Sequence, residues 1–177
     1  MLGQQKRRWR RVKAMSKIVP YSEGTWFAVP LRTGGFGVGR VVRAKAKSPI
    51  LLGYFFGPKL DHVPSFHSVE HTQPETAILI AHFGYLGLAK GTWPIIGSSP
   101  LDRDQWPLPQ FVRRDLLTGE VAKITYSPDD PGHEITLQSA SEFAVQQLPK
   151  DGTLGHGAVE IKLGKLLEES APTGQLQ

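Results

Sequence analysis

The string His67-Ser68-Val69-Glu70-His71 holds the residue types that bind and use a zinc ion. It matches the H-x-x-E-H pattern of one class of zinc peptidases, where two histidines four positions apart share a helix face. Glu70 would then activate a metal-bound water, and Glu142 is a candidate third ligand. However, Pro64 and Pro74 leave space for only one or two helical turns, which favours solvated polar residues over a zinc hydrolase.

The remaining residues do not assemble a second catalytic pattern. His82 ends an apolar segment, where it is either a core histidine with a hydrogen-bond partner or a general base without an evident nucleophile. The absence of cysteine excludes disulfides, thiolate metal sites and a thiol nucleophile. The glycines of residues 35–39 lack the spacing of a dinucleotide-binding loop. We therefore predict no catalytic residue, no metal and no cofactor.

Two polar loops carry acidic residues that a protein partner could contact. In the first, an aromatic residue lies between two acids and two prolines, which is typical of a semi-rigid binding loop. The second loop, residues 127–132, carries two adjacent aspartates. The predicted partner-binding residues are Asp102, Asp104, Trp106, Asp129 and Asp130.

The positive charge of the chain is concentrated at its N-terminus. Of 21 basic residues against 16 acidic ones, six lie in residues 1–14, which hold no acid. This segment is either an arm that binds nucleic acid, a disordered overhang, or the result of a start codon assigned too early, with Met15 as the first residue. We predict a basic tail at residues 1–15, a single domain at residues 16–168 and a disordered C-terminus at residues 169–177.

No apolar stretch is long enough to span a bilayer, since the longest runs are residues 50–56 and 76–81. The N-terminal charges are not followed by the apolar segment of a secretory signal. We therefore expect a cytoplasmic protein without a membrane partner.

The pair Gly34-Gly35 separates two apolar runs, residues 26–32 and 36–42, and predicts a β-hairpin with a two-residue turn. In that register Leu31 faces Val38 and Val29 faces Arg40. Phe27, Val29, Leu31, Val38 and Val42 would then share one buried face. Gly37 and Gly39 favour sharp bending of the second strand, as at a barrel corner.

The other segments predict short strands joined by turns. Two segments are apolar enough for inner strands, namely residues 50–56, which Gly57-Pro58 would end, and residues 76–83. A short helix is predicted after Pro64, with Phe66 and Val69 facing inward. An edge segment is predicted at residues 93–96, and strands at residues 111–114 and 121–126. A short helix would follow, capped by Ser139 or Ser141, with Phe143 and Leu148 packed inward. The last predicted element is a strand at residues 158–163, for which a helix is the competing interpretation.

These elements predict a mostly β fold, that is, a β-rich α+β single domain. Its antiparallel sheet would be strongly curled or barrel-like, with two or three short helices.

Four stretches in this order and spacing carry a resemblance to a known family. They are residues 23–31 followed by Gly34-Gly35 and Gly39-Arg40-Val41, residues 52–58, residues 91–97, and residues 111–115. Across about residues 20–165 the chain resembles the immunity protein 26 family of bacterial polymorphic toxin systems. The resemblance implies a small, mostly β cytoplasmic protein, encoded beside a toxin that it neutralises by binding. It assigns no functional residue.

The leading hypothesis is therefore a non-enzymatic binding protein that neutralises a cognate toxin domain by steric and electrostatic occlusion. A nucleic-acid binding module that uses the arm of residues 1–14 is the alternative. The third hypothesis is the zinc hydrolase.

Overall fold

The structure, a computed structural model, describes residues 19–170. Its elements in chain order are β1 (Thr25–Pro30), β2 (Phe36–Ala44), β3 (Ile50–Leu60), 3-10 turns at Phe66–Ser68 and Pro74–Thr76, β4 (Leu79–Gly84), α1 (Leu86–Ala89), β5 (Ile95–Ser98), β6 (Phe111–Arg114), β7 (Val121–Ser127), β8 (Asp130–Ser139), α2 (Glu142–Val145), β9 (Thr153–Leu154) and α3 (His156–Glu169).

Two sheets form the fold. The large sheet has six strands in the order β5-β1-β2-β3-β4-β9, and all of its pairs are antiparallel except β4 with β9. The small sheet has three antiparallel strands in the order β6-β7-β8. The mostly β prediction is confirmed, whereas the barrel-like form is not, because the sheets do not close. The domain boundary predicted after residue 15 lies outside the described residues. The domain boundary predicted after residue 168 stays a prediction.

The large sheet is the middle layer of three. One face packs against α3 around buried residues that include Phe27, Phe55, Phe83, Trp93 and Leu163. The other face packs against the small sheet and the loop at residues 99–110, around Trp26, Phe56, Trp106, Phe111 and Ile124. Because both faces of β1 to β3 are covered, these strands are apolar at successive positions rather than alternately.

The β1–β2 hairpin forms, but its predicted register is wrong. Leu31 N donates to Gly35 O at 2.9 Å and Gly34 N to Leu31 O at 3.0 Å, which makes a three-residue loop of Arg32, Thr33 and Gly34. Both glycines have positive φ, 84° and 76°, as the turn prediction required. Because the loop lies at residues 32–34 instead of 34–35, the pairing shifts by three positions along β1, so that Ala28 lies opposite Val38 and Trp26 opposite Arg40.

An odd shift exchanges the faces of β2 relative to β1. Val38 and Val42 therefore join Trp26 on the face toward the small sheet, and Val41 joins Phe27, Val29 and Leu31 on the face toward α3. Gly37 and Gly39 do not serve as a barrel corner. A Cβ atom on Gly37 would lie 2.5 Å from Leu163 of α3, and one on Gly39 would lie 2.4 Å from the Phe27 ring.

Three further predictions need correction. Gly57-Pro58 does not end β3, which continues to Leu60 past an irregularity in its pairing with β2. Residues 158–163 form part of α3, as in the competing interpretation, since Val159, Leu163 and Leu167 recur at helical spacing and are buried. Ser141 caps α2 through Ala144 N as predicted, but the buried residue of α2 is Val145, whereas Phe143 is 83% exposed.

None of the helices in residues 19–170 combines the length and the apolar composition needed to cross a membrane.

Candidate functional site

The structure brings the two predicted acidic loops together through Arg103. Its Nη1 lies 2.7 Å from Asp129 Oδ1, and its Nη2 and Nε donate to the two carboxylate oxygens of Glu23 at 2.9 and 3.1 Å. Lys45 Nζ donates to Asp130 Oδ2 at 2.6 Å beside this contact. We call the surface the Arg103 surface, and its members are Glu23, Lys45, Asp102, Arg103, Asp104, Asp129 and Asp130.

The charges of the Arg103 surface are partly neutralised. The hydrogen bonds that Arg103 donates to Glu23 and then to Asp129 raise the pKa of Arg103, and the hydrogen bond that Lys45 donates lowers the pKa of the Asp130 carboxyl. Asp102 and Asp104 are exposed, and within residues 19–170 neither belongs to an ion pair. Asp102 Oδ1 instead accepts from Asp104 N at 2.9 Å, which fixes the local loop conformation. A groove of about 540 Å³, lined in part by Glu23, Lys45 and Arg103, adjoins the surface.

The predicted exposure of Trp106 is wrong. Its side chain is only 4% exposed and packs on Trp26, with ring centroids 5.9 Å apart and planes at 87°. The indole therefore anchors the acidic loop from beneath instead of meeting a partner. Tyr54 assists by donating from its hydroxyl to Pro107 O at 2.6 Å.

Arg40 is a positioning residue that the sequence analysis did not identify. It is 4% exposed, and its guanidinium carbon lies 4.3 Å from the Trp106 ring centroid and 4.9 Å from that of Trp26. Its Nη2 donates to Ser99 Oγ at 3.0 Å and Pro100 O at 3.1 Å, at the start of the acidic loop. Burial lowers the pKa of Arg40 to about 10, so the group remains charged at neutral pH. An arginine within an apolar strand is the signal that could have identified it.

The H-x-x-E-H string lies on a 3-10 turn and the turn after it. The side chains of His67 and His71 are 91% and 89% exposed. His67 Nδ1 lies 2.6 Å from Glu70 Oε1, and His71 Nε2 lies 3.8 Å from the same oxygen. Val69 is buried as expected. Glu142, the proposed third ligand, is paired with Arg114 at the small sheet. Within the described part of the chain, no group of three or more histidine, cysteine or acidic residues is placed to hold a metal.

His82 is a core histidine. It is 1% exposed, and its ring lies 4.4 Å from that of Phe111 and 4.3 Å from that of Tyr126. The Tyr126 hydroxyl donates to Asp151 Oδ1 at 2.6 Å, and Arg113 is paired with the other oxygen of Asp151. The buried Nε2 of His82 finds no hydrogen-bond partner in residues 19–170, contrary to expectation. Burial lowers the pKa of His82 to about 4, and nearby Asp151 opposes that shift only in part.

We expect His82 to make the protein acid-sensitive. The unfolded chain binds a proton at this position near pH 6.5, while the folded chain stays neutral there until about pH 4, so stability is lost as the pH falls through this window. Between pH 7 and pH 4.5 the free energy of unfolding should fall by about 2 kcal/mol through His82 alone.

Urea unfolding of the wild type and of His82→Gln at both pH values measures this contribution of His82 to the free energy of unfolding. Carboxylates contribute equally to both proteins, so the difference between the two pH dependences isolates His82. Identical dependences would contradict the assignment.

The basic residues 1–14, on which the nucleic-acid alternative depends, lie outside the described residues.

Comparison with known proteins identifies a family. The family described as Immunity protein 26 matches residues 22–121, which run from just before β1 to the first residue of β7. This match is shorter than the resemblance expected over residues 20–165, since it leaves out β8, α2, β9 and α3. Comparisons with curated proteins and with solved structures give no match. Since the family match covers more than half of the sequence, the chain belongs to the Immunity protein 26 family.

Proposed function

We propose that this protein is a non-enzymatic immunity protein that binds and covers a cognate toxin domain of a polymorphic toxin system, in the cytoplasm of the bacterium that encodes both. The observation that carries the proposal is the family match over residues 22–121. Membership of an immunity protein family implies a toxin as the partner.

The side chains that could take part in catalysis make structural contacts instead, which supports binding rather than turnover. Arg40 holds the start of the acidic loop, Arg103 ties this loop to the β7–β8 turn, and His82 is enclosed by aromatic rings. Each of these groups makes contacts that maintain the fold.

The proposed contacts are the acids of the Arg103 surface. Asp102 and Asp104 are exposed on a loop held in place by Trp106, so a cationic partner could approach them without rearranging the loop. On binding, Asp129 and Asp130 would contact basic groups of the toxin, either in place of or in addition to their present partners, Arg103 and Lys45. Acids arranged in this way would attract a basic toxin and accelerate its association.

Co-expression tests the proposal. Each gene that flanks the gene of this protein is expressed in a heterologous bacterial host, with and without the full chain. We expect one product to arrest growth and the chain to restore it. If no flanking product is both toxic and neutralised, the proposed function is wrong.

The acidic contacts are tested by the double substitution Asp102→Asn/Asp104→Asn. Its association rate with the neutralised toxin domain should fall about fivefold at low ionic strength, and the difference should shrink at about 0.5 M salt as screening increases. Stopped-flow or surface-based kinetics measure the rate. Asp61→Asn, an exposed acid in the β3–β4 connection, is the matched control. An unchanged rate in the double variant would exclude Asp102 and Asp104 from the interface.

A further inference from the structure

The β6–β7 turn exposes two adjacent leucines almost completely. Leu116 and Leu117 are 97% and 96% exposed, more than any other large hydrophobic residue in the described chain. Burying a leucine side chain typically stabilises a protein by about 2 kcal/mol, so two leucines that contribute nothing to the core are available for a contact with another molecule.

This turn is well braced. Asp115 Oδ1 accepts from Leu117 N at 2.8 Å and Thr118 N at 2.9 Å, and Asp115 N donates to Glu120 O at 2.9 Å. Gly119 has a φ of 74° and donates to Asp115 O at 2.9 Å, which closes the turn. The leucines are thus presented on a fixed backbone, and a partner that binds them meets little ordering cost.

Phe143 lies at the same end of the small sheet. Arg114 pairs with Val121 across the β6–β7 ladder, and Ala140 N donates to Val121 O at 2.9 Å, which brings the start of α2 to this end. The ion pair between Arg114 and Glu142 fixes that position. We call Leu116, Leu117 and Phe143 the apolar tip.

A small separate core supports the apolar tip. Val112 of β6, Val121 of β7 and Val145 of α2 are buried against one another, with Ala140 and Leu148 partly buried beside them. The helix α2 therefore has an inward apolar residue of its own, and Phe143 is not required to anchor it. The exposure of Phe143 follows from the orientation of a helix that is capped by Ser141 and buried through Val145.

The charges that residues 19–170 place around the apolar tip have a net negative sign. Among residues 19–170, Asp115, Glu120 and Glu142 are exposed there together with the cation Arg114, which is already paired with Glu142. Hydrogen bonds from the backbone N–H groups of Thr118 and Leu117 lower the pKa of Asp115 and keep it ionised. An apolar centre with an acidic border is complementary to an apolar pocket bordered by lysine or arginine.

We propose that the apolar tip inserts into an apolar, basic-rimmed pocket on the toxin domain that this protein neutralises. The inference rests on the proposed function and names a second contact surface for it. The Arg103 surface includes the β7–β8 turn, and the apolar tip lies at the start of β7, so the seven-residue strand Val121–Ser127 separates them by about 20 Å. The two surfaces are therefore tested by separate substitutions.

The test uses the toxin domain that the wild-type chain protects against in co-expression. Dissociation constants are measured by calorimetry for the full-length wild type, for Leu116→Ser/Leu117→Ser and for Phe143→Ser. We expect each variant to bind at least about thirtyfold more weakly, as is typical for central interface residues, and the double variant to lose protection of growth. Val63→Ser, an exposed apolar residue in another loop, is the matched control and should bind as the wild type does.

Urea unfolding controls for stability, since side chains exposed to this degree should leave the free energy of unfolding within about 0.5 kcal/mol of the wild type. If the wild type neutralises a toxin and the tip variants bind it equally well, the apolar tip is not a contact and the proposed function stands. If the substitutions instead convert a dimer into a monomer in sedimentation analysis, and leave toxin binding intact, the tip binds a second copy and the inference is wrong. If no toxin is neutralised, the proposed function itself fails.

Discussion

Replacing Gly39 by alanine should destabilise the protein by about 3 kcal/mol. The added Cβ would lie 2.4 and 2.5 Å from two carbons of the Phe27 ring and 3.1 Å from Phe55. Phe27 has no space to withdraw, because it is fully buried and stacks on Trp93 with centroids 5.5 Å apart and planes at 8°. Either the ring or the strand must shift, and both lie in the core beneath α3.

Urea unfolding of the full chain measures the effect. Gly84→Ala is the matched control, since a Cβ there would meet only Leu154 O at 3.9 Å and the position has no positive φ. We expect the control to be neutral or slightly stabilising. A Gly39→Ala variant as stable as the control would contradict the packing of Phe27 across β2.

The second large effect is expected at Arg40. Arg40→Ala removes a cation that lies over two indole rings and leaves Pro100 O without its donor, so we expect a loss of about 4 kcal/mol. Arg40→Lys keeps the charge but loses the planar group that contacts both rings and donates to the loop at the same time, so we expect a loss of about 2 kcal/mol.

Thermal or urea unfolding gives the two free energies, and hydrogen exchange of the backbone amides at residues 99–106 reports on the loop. Faster exchange at these residues in Arg40→Lys is the expected sign that Arg40 positions the acidic loop. Equal stability of the lysine variant would show that charge alone is sufficient and that the planar guanidinium is not required.

The hairpin illustrates how far the sequence could predict the fold. The two apolar runs and the two glycines between them predicted the pairing of β1 with β2 and the positive φ values. They did not determine whether the loop has two or three residues, because Leu31 suits either a strand or a loop end. The face toward α3 became clear only with the helix in place, since its close approach explains Gly37, whereas Gly39 leaves space for the Phe27 ring.

Two other elements show the limits of the apolar pattern. In β8 every residue from Gly132 to Ser139 is exposed, so the strand has no buried face that could mark it in the sequence. In α3 the residues Val159, Ile161 and Leu163 alternate as in a strand, and only the continuation to Leu167 indicates a helix.

The candidate site was predictable in part. Proline and aspartate identified the two polar loops, but the sequence did not show that Arg103 joins them or that Trp106 faces the core. An aromatic residue in a polar loop is equally compatible with a binding tip and with an anchor, and the decision depends on the Trp26 and Arg40 side chains beneath it. The apolar tip was not predicted, because Leu116 and Leu117 lie between the predicted strands 111–114 and 121–126, where the sequence alone does not show whether they face the core or the solvent.

A titration of toxin activity against the purified full-length protein tests the central claim most directly. Occlusion by binding predicts that residual activity falls in proportion to added protein, reaches its minimum at a fixed stoichiometric ratio, and returns when the complex is dissociated, with the mass of the toxin unchanged. Complete inactivation at a ratio far below one, accompanied by a change in the toxin's mass, would show that the protein acts by catalysis and would contradict the account.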